Sequence, residues 1–255
     1  MAELTRGLSS LPCKEGSAPV LSDDDSKRLL RATEGKRFVV IGEDHKSVDV
    51  MAVLKPLIGS GRFRGIFLEA LTRGNLETEG DRLKEGAVYY WNPVKYDQIL
   101  AMAKIQNMEI HGIDTSVSFV DTREYKVDRV VSWASYINDA ANKNGQYLVL
   151  VGEMHANYPD ENKHPDTVNL QRNLFNLGIR SGEVLTVTSA IFEGERKVLV
   201  LNEFSTAETY PRGVYRGMAD VVYTREDLKT AGGPTPTELN QYSSFASILR
   251  QKLIV

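Results

Sequence analysis

The apolar residues of this chain fall in short dense runs, and the stretches between them carry helical spacing. The runs are Phe38-Val39-Val40-Ile41, Gly65-Ile66-Phe67-Leu68, Met108-Glu109-Ile110-His111-Gly112-Ile113 and Tyr147-Leu148-Val149-Leu150-Val151. They are short, rich in β-branched side chains and largely without alternation, which predicts strands buried on both faces. Between them, Val48, Met51, Leu54 and Ile58 share one helical face, with Pro56 expected to kink or shorten that helix. Tyr96, Ile99, Leu100, Ala103 and Met108 form a second face. Val127, Val130, Val131, Ala134 and Ile137 form a third, stopped by Asn144-Gly145. Val168, Leu170, Leu174 and Leu177 lead to Gly178. Upstream, Ser22 before Asp23-Asp24-Asp25 reads as a helix start, with acid first and base last.

Strands alternating with helices predict an α/β fold: a mainly parallel sheet with helical crossovers. The tail changes style. Val184-Leu185-Thr186-Val187-Thr188, a turn at Phe192-Glu193-Gly194-Glu195-Arg196, and Lys197-Val198-Leu199-Val200-Leu201 predict an antiparallel hairpin near the C-terminus. Ala219-Asp220-Val221-Val222-Tyr223 reads as one more strand, and residues 243–253 as a closing helix after the break at Gly232-Gly233-Pro234. Residues 1–22 read as a flexible leader and 23–255 as one domain, with residues 72–95 a polar excursion read as a lid or insert.

Composition removes several function classes. The 31 basic and 34 acidic residues leave a net charge of −3, without the basic excess that nucleic-acid binding needs. The single cysteine, Cys13, excludes an internal disulfide framework. No run approaches the roughly 20 apolar residues of a membrane span, and the N-terminus lacks the apolar core of a Sec signal. The expected setting is cytoplasmic, or exported without a cleavable Sec signal as an effector or toxin.

Ligands of open α/β sheets bind beyond the carboxyl ends of the strands. There the four strands deliver Glu43, Glu69, Asp114 and Glu153, and two of them add His45 and His155. Gly42-Glu43-Asp44-His45 and Gly152-Glu153-Met154-His155 repeat one form, Gly-Glu-x-His after an apolar strand, in a chain with only four histidines. Glycine lets the backbone turn and lets another group approach closely. A Glu and a His two apart point the same way if the chain stays extended. Two such units with Glu69 between them make a mixed histidine and carboxylate set suited to a divalent metal, Mn, Zn, Co or Fe. Glu43, His45, Glu69 and His155 are the expected metal ligands. Glu43 is also expected in catalysis, positioning the attacking water, with Glu153 or Asp114 as the base. Arg129 or Arg123 is expected to hold a substrate carboxylate or steady an oxyanion. His111 reads as a buried partner and His164 as a solvated loop residue. No Gly-x-Ser-x-Gly elbow, dinucleotide fingerprint or Walker loop occurs.

The paired Gly-x-x-His motifs, with Phe67-Leu68-Glu69 between them, resemble the Tiki/TraB/ChaN-like superfamily, which includes the erythromycin esterases and a module of some bacterial toxins. An arginine in the helix before the second motif recurs in that group, and Arg129 is its match here. The resemblance spans roughly residues 36–157. It implies an α/β core with both motifs facing one cleft. Tiki-like members are metal-dependent proteases, the esterases open a macrolide lactone, and ChaN-like members bind haem. The resulting expectation is a metal-dependent hydrolase of an ester or amide, acting on a small molecule or peptide. Two alternatives stand beside it. One is a haem-binding protein using Tyr89, Tyr90 or His155. The other is a toxin or effector module with a degenerate site.

Overall fold

The structure is a computed structural model, and it describes residues 20–45, 47–73, 93–114, 123–156, 169–191, 198–200 and 220–225. The lid expected at 72–95 for the most part, the turn at 192–196, the closing helix at 243–253, and Cys13, His164, Tyr89 and Tyr90 lie outside those residues.

The elements run α1 (Asp23–Ala32), β1 (Phe38–Glu43), α2 (Met51–Gly59), β2 (Gly65–Thr72), α3 (Pro93–Ile105), β3 (Glu109–Asp114), α4 (Arg123–Ala140), β4 (Tyr147–Gly152), α5 (Glu153–Ala156), α6 (Leu170–Asn176), β5 (Val184–Ile191), β6 (Val198–Val200) and β7 (Val221–Arg225). Ser22 caps α1, its Oγ accepting from Asp25 N at 3.1 Å, as the Ser-Asp-Asp-Asp start predicts. Pro56 sits inside α2, which ends three residues later. Met108, expected on the face of α3, instead lies past its end. The chain turns through Asn107, whose φ is 52°, and Met108 starts the run into β3.

The strands form one sheet in the order β3-β2-β4-β1-β5-β7-β6. Every pairing from β3 across to β7 is parallel, and only β6 runs antiparallel, against β7. The expected hairpin between the 184–188 and 197–201 runs is not the pair that forms. β7 lies between them, matching Val187 of β5 to Val221 and Tyr223 to Val198 of β6. The reason is burial. β5 carries apolar or fully buried residues on both faces and suits an interior position.

Alternate residues of the central strands feed two cores. Val39, Ile41, Leu148 and Leu150 pack with α2 and α3 on one face. Phe38, Val40, Val149 and Val151 pack with α4 and α6 on the other. The chain leaving β1 therefore enters one layer and the chain leaving neighbouring β4 enters the opposite one. Divergence of this kind opens a crevice at the carboxyl ends of β1 and β4, where both Gly-Glu-x-His arrays begin. Among the described residues, no helix is long and apolar enough to cross a membrane.

Candidate functional site

β1 and β4 are hydrogen-bonded neighbours, with Glu43 opposite Gly152. Their similar local sequences then take different paths. After Glu43 the chain turns, with Ser47 N donating to Asp44 O at 3.1 Å. After Gly152 it enters α5 directly. Neither array keeps the expected extended geometry through its histidine, but the turn after β1 still brings its Glu and His together. There His45 Nδ1 lies 3.2 Å from Glu43 Oε1. In α5, each residue rotates by about 100°, so Glu153 and His155 leave the helix on nearly opposite sides.

The two glycines are where the arrays touch. A Cβ on Gly152 would lie 2.9 Å from both Cε1 and Nε2 of His45 and 3.5 Å from Glu69 Oε2. A Cβ on Gly42 would lie 2.9 Å from Ala156 Cβ and 3.2 Å from Glu153 Cα. Each array's glycine thus makes room for the other array: Gly152 for the imidazole of His45, Gly42 for the backbone of α5.

Glu43 is buried and held from three directions. Lys95 Nζ donates to its Oε2 at 2.6 Å, the Tyr96 hydroxyl donates to Oε1, and His45 Nδ1 approaches the same Oε1. The side chain of Lys95 is also fully buried, and its ammonium further donates to Asp44 O at 3.2 Å and His45 O at 3.1 Å. Burial, followed by the charge and hydrogen bond of Glu43, pushes the Tyr96 hydroxyl well above its ordinary pKa, so it stays a donor. A carboxylate only accepts, so the Glu43 contact favours a proton on Nδ1 of the imidazole. The His45 side chain remains 28% exposed.

Glu69 forms a second centre. β2 slips register against β3 between Leu68 and Thr72, a bulge that re-aims the side chains there. Glu69 Oε2 accepts from Gly152 N at 2.7 Å and Oε1 from Arg129 Nη2 at 2.8 Å. Arg129 also clamps Asp114, with Nε to Oδ1 at 2.9 Å and Nη2 to Oδ2 at 2.7 Å. Burial pushes the Glu69 carboxyl up. The charges of His155, Arg129 and His45, with the Gly152 N–H, outweigh burial and hold it below its ordinary value. Both imidazoles thus act on one buried carboxylate. The Arg129 guanidinium lies 4.4 Å over the Trp133 ring, and Trp133 meets His155 edge-on at 5.1 Å.

The expected metal ligands do not make a ligand set here. Both oxygens of Glu43, Glu69 and Asp114 are engaged by protein donors, and Lys95 and Arg129 supply the positive charge that a metal would bring. Among the described residues, no three His, Cys, Asp or Glu side chains are grouped to hold an ion. Arg129, expected at a substrate carboxylate or oxyanion, has its charge shared by two protein carboxylates. Glu153 is half-buried at the start of α5. His111 faces away from this end: it lies at the level of Phe67, stacked on that ring at 4.6 Å. The sequence pattern puts Tyr96 only on the apolar face of α3 and gives Lys95 no role. The signal was a lysine four residues before Ile99, on the stripe of a helix otherwise apolar there.

No family model and no curated protein sequence matches the chain. Among solved structures, a Bacillus cereus protein aligns with 84% of this chain and 94% of its own, at 10% identity and a TM-score of 0.51. That likeness is one of fold. The C-terminal region of Pasteurella multocida toxin, described as holding a thiol-protease-like catalytic triad, aligns with 60% of this chain at 14% identity and a TM-score of 0.38. The aligned part is 22% of the toxin chain.

Proposed function

We propose that this chain is a hydrolase of an ester or amide bond, related to the Tiki/TraB/ChaN-like superfamily, and that His45 is its general base. The observation that carries the reading is the Glu43–His45 pair: a buried carboxylate, pinned by Lys95 and Tyr96, orients a partly exposed imidazole at the topological crevice of the sheet. In the proposed step, Nε2 of His45 takes a proton from water as the water oxygen bonds to the carbonyl carbon. Glu43 stabilises the imidazolium that forms. The carbon–oxygen or carbon–nitrogen bond of the tetrahedral intermediate then breaks, and the proton passes to the leaving atom. Glu69, on which both imidazoles act, lies close to His45 and is positioned by Arg129. No step is routed through a metal, because the carboxylates are already neutralised by protein cations.

A panel of nitrophenyl esters and fluorogenic peptide amides tests this. Wild type turns over at least one class, and His45→Ala, with an unchanged near-ultraviolet circular dichroism spectrum, loses about 10²- to 10⁴-fold, the scale of general-base catalysis. Equal rates for wild type and His45→Ala overturn the assignment. Dialysis against EDTA leaves the rate unchanged, whereas loss of rate restored by one divalent ion reinstates a metal.

A further inference from the structure

The Gly42-Glu43-Asp44-His45 turn carries its histidine on a loop, and loops alone place side chains poorly. What immobilises this one comes from a distant helix. The Lys95 ammonium makes three bonds: to Oε2 of Glu43 at 2.6 Å, to the carbonyl of Asp44 at 3.2 Å and to the carbonyl of His45 at 3.1 Å. One buried cation therefore ties down both the carboxylate that orients the imidazole and the backbone that carries it. Tyr96, the next residue, holds the other oxygen of the same carboxylate.

We propose that Lys95 is a positioning residue for His45, fixing carboxylate and imidazole in one frame. The proposal rests on the hydrolase reading above for its catalytic consequence, but its structural content does not. An ammonium has three donors in tetrahedral array and no acceptor. The three bonds named above converge on oxygens of the β1 end, so the side chain works as a bracket. A hydrophobic residue of similar length would fill the space and leave Glu43 Oε2 and two carbonyls without that donor.

The test uses the full chain labelled with ¹⁵N in histidine, where four imidazoles give an assignable long-range ¹H–¹⁵N spectrum. In wild type, His45 shows a single tautomer with the proton on Nδ1. In Lys95→Met, folded by near-ultraviolet circular dichroism, the two ring nitrogens move toward averaged shifts, kcat falls at least tenfold, and KM stays within twofold. Lys95→Gln, which keeps a donor, recovers part of the tautomer preference. A folded Lys95→Met with the wild-type tautomer overturns the proposal. So does a wild-type His45 protonated on Nε2 or mixed, and that measurement needs no variant to fold. If no substrate is ever turned over, the hydrolase reading fails while the tautomer result still decides the role of Lys95.

Discussion

Gly152→Ala separates packing from catalysis at the point where the two arrays meet. The new methyl would sit 2.9 Å from Cε1 and Nε2 of His45. Carbon atoms rest at about 3.5 Å or more, so the ring must retreat by about 0.6 Å. It can do so, because the ring is the far end of a partly exposed side chain. The stability cost is therefore small, below about 1 kcal/mol, or less than about 4 °C in Tm for a chain of this size. The functional cost is larger. A displaced ring lengthens its 3.2 Å contact with Glu43 Oε1 and carries Nε2 away from its place. Misplacement on the ångström scale costs about 10²-fold in rate. Gly42→Ala is the comparison. Its methyl meets Ala156 Cβ at 2.9 Å and the Cα of Glu153 at 3.2 Å, and backbone yields less than a side-chain tip. That substitution costs about 1–3 kcal/mol, seen as a Tm lower by several degrees. Paired measurements of kcat/KM and of Tm by calorimetry read the difference. A Gly152→Ala protein with full activity, or one destabilised as much as Gly42→Ala, refutes the reciprocal packing of the arrays.

Arg129→Ala leaves Glu69 and Asp114 buried without their shared cation. The expected loss is about 3–5 kcal/mol in urea unfolding, and Arg129→Lys does not restore it, since one ammonium cannot reproduce the forked contacts. Glu69 has a folded-state pKa below its ordinary 4.5, so it contributes stability that is present above about pH 4.5 and lost as pH falls through the depressed value. Urea midpoints measured from pH 6 down to pH 3 should fall in that window, and Glu69→Gln should flatten the slope; an unchanged slope contradicts the assignment. Tyr96→Phe removes a buried donor to a charged acceptor, worth about 1.5–3 kcal/mol, and lowers kcat through Glu43 rather than through substrate binding. A raised KM at constant kcat would count against that role.

Hydrophobic patterning alone was enough for the α/β class, the first four strands and the placement of carboxylates and histidines at strand ends, because buried strands must be apolar and carboxyl ends must be polar. The repeat of Gly-Glu-x-His was also legible, but its geometry was not. One copy turns after its Glu and pairs it with its His, while the other winds into α5 and separates them, since each backbone conforms to the array packed against it. Strand order lay beyond local pattern too: β7 enters between β5 and β6 because edge and interior positions are settled by the whole sheet. Above all, the partners of the acids came from elsewhere in the chain. Lys95 and Arg129 sit on helices 52 and 60 residues away from the glutamates they neutralise. Charge compensation in a buried site is a property of assembled surfaces, where desolvation makes each unpaired carboxylate costly, and only folding decides which cation answers it.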